Sequence, residues 1–229
     1  MSIELLEQAA ARLGPVVADV AFLGGASLVL WIDDPGAPQP RVTLDVDVIV
    51  LLDGYADYAR LGERLREQGL EEDSTSRVIC RWRDADGLIV DVMPTDEAIL
   101  GFSNRWYLEA IEAAESVTLP SDRTIRAVIP PLLLATKLEA FANRGNGDYL
   151  GSADFEDIVR LVDGRERLVG EIAVASDEVR RFVSDELTSM AQSPRFAEGV
   201  AGALLPDAAS QARAGIVLGR FEQIAASGP

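Results

Sequence analysis

Histidine occurs nowhere in the 229 residues. Its absence removes Ser-His and Cys-His hydrolases, zinc sites of the His-rich kind and imidazole general-base catalysis. Lysine occurs once, as Lys137, against 20 arginines. A composition so biased towards Arg leaves two readings of the lone lysine: chance survival, or a position that wants a compact, mobile point charge. Cysteine also occurs once. Cys80 has no partner for an internal disulfide and sits between apolar and basic residues of a strand-like run, where it reads as a small core residue rather than a nucleophile. Any catalysis must then rest on carboxylates, hydroxyls, Arg or the single Lys.

Long apolar runs are lacking too. None approaches the roughly 18 residues that span a bilayer, and the opening MSIELLEQ carries two glutamates where a signal peptide carries bases. The expectation is a cytoplasmic protein with no membrane segment. Positive charge is scarce: 21 basic against 38 acidic side chains give a formal charge of -17. Such a chain repels polyanions, so a long non-specific grip on nucleic acid is not expected, whereas a metal-bridged nucleotide is compatible with it. The acidic excess is concentrated early, with net -12 over residues 1–127 and -5 over residues 128–229.

The chain is long enough for one domain or two small ones, and shows no internal repeat, low-complexity tract or long linker. Residues 3–13 carry apolar side chains at helical spacing and stop at Gly14-Pro15. VVADVAFLGG reads as a strand ending in two glycines, ASLVLWI as a helix, DDPGAPQP as a turn-rich loop and VTLDVDVIVLL as a second strand. A helix over Tyr55 to Gln68 follows, then a strand over Arg77 to Arg83, a tight turn at DADG and a strand at LIVDVM. This alternation predicts an α/β fold, a mixed sheet flanked by helices. From Val128 onward the patterns are helical: PPLLLATKLEAFANR, ADFEDIVRLV, VGEIAVASDEVRRFVSDELTSMAQ and AASQARAGIVLGRFEQIAA. The expected organisation is an α/β module over residues 1–127 and a helical module over residues 128–229, joined between Pro120 and Pro131.

In RVTLDVDVIVLLDG alternation puts Leu44, Val46, Val48 and Val50 on one face and Asp45, Asp47 and Ile49 on the other. By itself a D-x-D reads first as the solvated face of a strand. Two neighbouring carboxylates also repel, a cost that a divalent cation removes; Mg²⁺ is held through one or two carboxylates and completed by water and phosphate oxygens. LIVDVM repeats the arrangement, with Leu88, Val90 and Val92 opposite Ile89, Asp91 and Met93. Asp91 is thus a third candidate carboxylate, placed to hold metal or to accept a proton from an attacking hydroxyl. Asp86 is explained by turn chemistry.

Gly24, Gly25 and Ser27 lie between a strand and a helix. Glycines let backbone approach an anion, and Ser27 either adds a donor there or simply caps the helix. In RVICRWR, Arg77, Arg81 and Arg83 share one side and Val78, Cys80 and Trp82 the other; the basic side either meets a polyanionic substrate or balances the acidic neighbourhood. In GFSNRWY, Trp106 and Tyr107 read as core packing, with a base contact as the alternative.

GG-x-S after a strand, R-x-T-x-D-x-D on the next and a third Asp on an apolar strand together resemble the DNA polymerase β-like nucleotidyltransferase superfamily. More narrowly, Gly24-Gly25, the run from Arg41 through Thr43 to Asp45 and Asp47, and the segment LLLATKLEAFANRGNGDYLGSADFEDIVRLVDGR are similar to AbiEii/AbiGii-type nucleotidyltransferases. These are bacterial proteins that include toxins of type IV toxin-antitoxin and phage-defence systems. The resemblance covers about residues 20–165. The loop DDPGAPQP lengthens the step from Ser27 to Asp45, and nothing after about Arg165 matches, which is where acceptor specificity would lie.

The resemblance implies transfer of a nucleoside monophosphate from an NTP to an acceptor hydroxyl, with Asp45, Asp47 and Asp91 holding Mg²⁺ or Mn²⁺. Gly24, Gly25, Ser27, Arg41 and Thr43 would line the nucleotide and Lys137 would neutralise its phosphates. Phosphoryl transfer asks mainly for positioning and charge neutralisation, so it runs without histidine. Asp154 and Asp157 share a helix face and are expected to tether Lys137 or Arg144. The acceptor is open between RNA or tRNA, protein and small molecule, with a cognate antitoxin as a further partner. A catalytically silent protein of the same fold, acting through protein contacts, and an antibiotic-type small-molecule transferase are the competing expectations.

Overall fold

A computed structural model describes residues 2–228. The chain folds into two units, one of Met1–Leu30 with Arg41–Ile129 and one of Trp31–Pro40 with Pro130–Pro229.

The first unit is an α/β fold built on a seven-stranded mixed sheet. Helix α1 (Ser2–Leu13) leads into β1 (Val20–Leu23), a short helix α2 (Gly24–Ser27) and β2 (Asp45–Val50). Helix α3 (Tyr55–Glu67), β3 (Glu71–Glu72), β4 (Arg81–Arg83) and β5 (Ile89–Pro94) follow. Helices α4 (Glu97–Leu100) and α5 (Tyr107–Glu112) precede the hairpin of β6 (Glu115–Thr118) and β7 (Thr124–Ala127). The strand order is β3-β4-β5-β2-β1-β7-β6. β2 runs parallel to β5 and antiparallel to β1, and β4 runs antiparallel to β5.

The expected alternation puts Val46, Val48, Val50, Val90 and Val92 in the core with Leu6 and Leu13 of α1 and Leu61 and Leu65 of α3. Leu44, expected among them, is 78% exposed because β2 begins one residue after it. Several expected elements are shorter. Pro15 presets a helical φ, so Gly14–Asp19 turns as a 3₁₀ helix and leaves only Val20–Leu23 for the strand. Of the helix expected over ASLVLWI, Ala26 and Ser27 end the four-residue α2 and Leu28–Leu30 form a 3₁₀ turn. The strand expected over Arg77 to Arg83 keeps only its last three residues, because Asp73 and Ser76 accept from the amides of Thr75 and Val78 and divert the backbone from the ladder. DADG is a turn as expected, with Asp84 Oδ1 accepting from the amides of Asp86 and Leu88, each at 2.9 Å.

The second unit is helical, as its patterns predict: α6 (Pro130–Arg144), α7 (Ala153–Gly164), α8 (Leu168–Ala173), α9 (Asp177–Ala191), α10 (Phe196–Ala203), α11 (Ala208–Ala212) and α12 (Ala214–Ala225). The run from Val169 to Gln192 breaks in two where the Ser176 hydroxyl caps α9 by accepting from Val179 N. The loop after Leu30, which the sequence suggested belongs with the α/β module, is part of this unit. Asp33 takes Arg165 Nη1 at 2.9 Å and Arg167 Nη2 at 3.1 Å, Asp34 takes Arg213 Nη2 at 2.5 Å, and both loop amides donate to Gly164 O. A Cβ at Gly164 would stand 2.8 Å from Ile32, so the close approach requires glycine.

Candidate functional site

The two middle strands of the first unit carry the carboxylates. Asp47 on β2 and Asp91 on β5 are register partners in the parallel pair, and Asp45 is two residues along β2 on the same face. Asp91 in turn faces Arg81 across the antiparallel β4–β5 pair. The guanidinium lies over that face. Its Nε donates to Asp91 Oδ1 at 2.8 Å, and its Nη2 donates to Asp91 Oδ2 at 2.7 Å and to Asp45 Oδ2 at 2.8 Å. The other Asp45 oxygen accepts from Thr43 Oγ1 at 2.7 Å. One guanidinium therefore ties together carboxylates from two strands, with a bidentate bond to the buried one, Asp91, which is 5% exposed.

The electrostatics follow from this packing. Hydrogen bonds from Arg81 to Asp91 push the guanidinium pKa above its ordinary value, so it stays charged. Cys80, next to Arg81, is buried as expected. Burial first, then the charges of Asp91 and Asp47, push its thiol up to about 12, so it carries no thiolate at neutral pH.

Asp47 meets the glycine turn. Leu23 at the end of β1 is its cross-strand partner, and the next residue, Gly24, takes φ +75. A Cβ at Gly24 would lie 1.9 Å from Asp47 Oδ2, so the carboxylate packs on a backbone that only glycine leaves open. Gly25 is buried in α2. Ser27 is fully buried and donates its hydroxyl to Gly24 O at 2.9 Å, which closes the turn, so of its two readings the added outward donor is not what the structure contains. Arg41 is partly exposed on the segment that enters β2.

Among the described residues no three Asp, Glu, Cys or His side chains stand together as a ready metal site. The donor chemistry nonetheless suits a hard divalent cation. The three carboxylates share one sheet face, and two of them converge on a single cation, the Arg81 guanidinium.

Lys137 belongs to the second unit. It is buried on α6, with Nζ 3.1 Å from Asp154 and 2.7 Å from Asp157 on α7. Arg144 makes a bidentate bond to Asp154. Burial alone would raise the Asp154 pKa, but Arg144 and then Lys137 hold it below the ordinary value. The expected tethering of Lys137 and Arg144 by these aspartates is what the structure contains. Trp106 is buried as expected, and the Tyr107 hydroxyl lies 3.2 Å from Met93 Sδ.

Of the two readings of the basic side of RVICRWR, Arg81 takes the one that balances the acidic neighbourhood, and only its particular partners, Asp45 and Asp91, went unread. The available signal was the DADG turn, since counting outward from a hairpin turn brings residue 81 opposite residue 91.

No family model matches the sequence, and no curated protein matches it. The fold is similar to that of JHP933 from Helicobacter pylori, known from a crystal structure, with a TM-score of 0.50 at 10% identity. The match covers 98% of this chain and 92% of that one. At such identity the likeness bears on the fold alone.

Proposed function

We propose that this chain is a metal-dependent nucleotidyltransferase of the AbiEii/AbiGii kind, moving a nucleoside monophosphate from an NTP to an acceptor hydroxyl. One observation carries the reading. Asp45, Asp47 and Asp91 share a face on adjoining strands, and Asp47 packs against the bare α-carbon of Gly24. That arrangement clusters acids suited to a divalent cation beside the Gly24 turn.

Asp45, Asp47 and Asp91 would hold Mg²⁺ or Mn²⁺, which when bound neutralises the triphosphate and its developing charge. Thr43 orients Asp45 through its hydroxyl. The Gly24-Gly25 turn, on which Asp47 packs, is assigned to the phosphates, Ser27 keeps that turn closed, and Arg41 adds positive charge at the entry to β2. In the transfer, the acceptor oxygen bonds to the α-phosphorus and pyrophosphate leaves. The hydroxyl proton passes to a carboxylate of this face, with Asp91 assigned that role. Lys137, engaged by two aspartates, is assigned a holding role within its own unit, and the reading does not depend on it.

The formal charge of -17 favours a small molecule or protein over RNA or tRNA as acceptor. A cognate antitoxin is the protein partner to seek. The first test is calorimetric titration with each NTP in the presence of Mg²⁺. The parent is expected to bind, and Asp45→Ala with Asp47→Ala to abolish binding. A parent that binds no NTP sinks the reading. Labelled NTP in cell extract then assigns the acceptor by whether label enters RNA, protein or a small molecule. A second reading has its own support: Arg81 already satisfies Asp45 and Asp91, as expected of a catalytically silent protein that keeps the fold and acts through protein contacts.

A further inference from the structure

We propose that Arg81 is an exchangeable internal cation. Without nucleotide it fills the cation position between Asp45 and Asp91, so the acidic face does not take up a free divalent ion. The metal enters with the triphosphate, whose oxygens receive the displaced guanidinium. This inference rests on the transferase reading and adds to it an order of binding and a positioning residue.

The geometry marks the position. A single nitrogen, Arg81 Nη2, touches one oxygen of Asp91 and one of Asp45, at 2.7 Å and 2.8 Å. An ion bridging the same two carboxylates needs those same oxygens, and two cations sharing them repel at short range in a partly desolvated site. Guanidinium and metal therefore compete for one place.

The fold also decides which partner moves. Asp45 and Asp91 are fixed on paired inner strands of the sheet, and Asp91 is buried. Arg81 starts β4, a strand of three residues, after the irregular run 73–80, whose last residue, Cys80, is buried and accepts from Val92 N. Its side chain is long, and its planar fork matches phosphate oxygens as well as it matches a carboxylate. Moving it breaks three hydrogen bonds that a triphosphate can replace, whereas the short carboxylate side chains on paired strands can reach little further without their backbone.

Mn²⁺ alone, titrated into nucleotide-free protein and followed by electron paramagnetic resonance, tests the competition directly. Arg81→Gln is expected to bind Mn²⁺ at least tenfold more tightly than the parent. Adding Asp45→Asn should remove that gain, and Arg81→Lys, which keeps a cation there, should stay near the parent. Parent-like Mn²⁺ binding by Arg81→Gln overturns the proposal.

Should that variant fail to fold, the Arg81 Nε–H resonance of the intact protein gives the second reading. It should move with Mg²⁺ and NTP together and stay in place with Mg²⁺ alone; movement with Mg²⁺ alone, or none with both, overturns the exchange. The two readings fail separately. Tighter Mn²⁺ binding by Arg81→Gln without any NTP binding leaves the competition and sinks the transferase. NTP binding with parent-like Mn²⁺ binding does the reverse.

Discussion

Gly24 shows how one residue can be required twice over. Its φ of +75 lies where a side chain costs about 1–3 kcal/mol, and the space a Cβ needs is held by the Asp47 carboxylate. Gly24→Ala should therefore destabilise the first unit by about that amount or more, read as a shift of the urea midpoint at constant slope. In an Asp47→Ala background the cost should fall, because the two nearest atoms, Asp47 Oδ2 at 1.9 Å and Cγ at 2.7 Å, are gone. It should not vanish, because φ is unchanged and the Cβ of residue 47 stays close. Equal costs in both backgrounds would mean that the carboxylate does not press on the turn. At this scale alternation made the acidic face legible, since Asp45, Asp47 and Asp91 follow from a period of two. Arg81 was half legible: its side of the strand could be read, but its bonds to Asp45 and Asp91 depend on strand pairing across 36 and 10 residues. The direction of the Ser27 hydroxyl stayed open because nothing in a G-G-A-S string says whether it turns outward or back onto Gly24 O.

Among the elements, α6 and α7 carry most of the buried charge in their unit. Lys137 is the cation between Asp154 and Asp157, and removing one partner of a buried pair typically costs about 3–5 kcal/mol. Lys137→Met keeps the stem but not the charge, so a loss of that order in equilibrium unfolding is expected; near-parent stability would show that the pair is not worth its desolvation. Acid should have a related effect. Because the folded Asp154 carboxyl lies below its ordinary 3.8, its contribution is complete above that value and fades as pH falls through the lower folded pKa. Unfolding midpoints measured from neutral pH down to strong acid should therefore fall more steeply for the parent than for Asp154→Asn, which is weaker at neutral pH but lacks this titration. Helices α1, α3, α6 and α7 were legible because their apolar residues recur at helical spacing. The hairpin of β6 and β7 was not: no residue of Glu115–Thr118 is buried, so the apolar period that marks a strand is missing from β6, and the core contacts of the hairpin come from Ile125 and Ala127 of β7 with Val117 packed beside them. Helix α10 went unread for a different reason, its Gly199 and Gly202 interrupting a short segment that aromatic packing of Phe196 against Phe155 and Phe221 completes.

For the molecule as a whole the dominant quantity is charge. An excess of 17 acidic groups loads the folded chain with self-repulsion that unfolding relieves, and the fold offsets part of it with internal pairs such as Arg81 with Asp91, Lys137 with Asp157 and Arg213 with Asp163. Added salt acts on the two contributions unequally. Surface repulsion runs over distances comparable with the Debye length, about 8 Å at physiological ionic strength, and is screened; buried pairs at contact distance are screened far less. Sodium chloride raised from low to about 0.5 M should therefore stabilise the protein. If the relief is about 1–2 kcal/mol, the Tm of a chain this size should rise by roughly 2–8 °C. Sodium chloride suits the scan because sulfate would also strengthen apolar burial and confuse the cause. A Tm that fell with salt would mean that exposed ion pairs, not net repulsion, govern stability. No helix among the described residues is long and apolar enough to cross a membrane. The same field bears on what the acidic sheet face can accept. A triphosphate approaching it alone meets repulsion from three aspartates offset by one guanidinium, whereas a metal-complexed triphosphate arrives with part of its charge cancelled. NTP affinity measured without divalent metal should accordingly rise with salt, and affinity with Mg²⁺ present should change much less. Equal salt dependence in the two titrations would place nucleotide binding away from Asp45, Asp47 and Asp91.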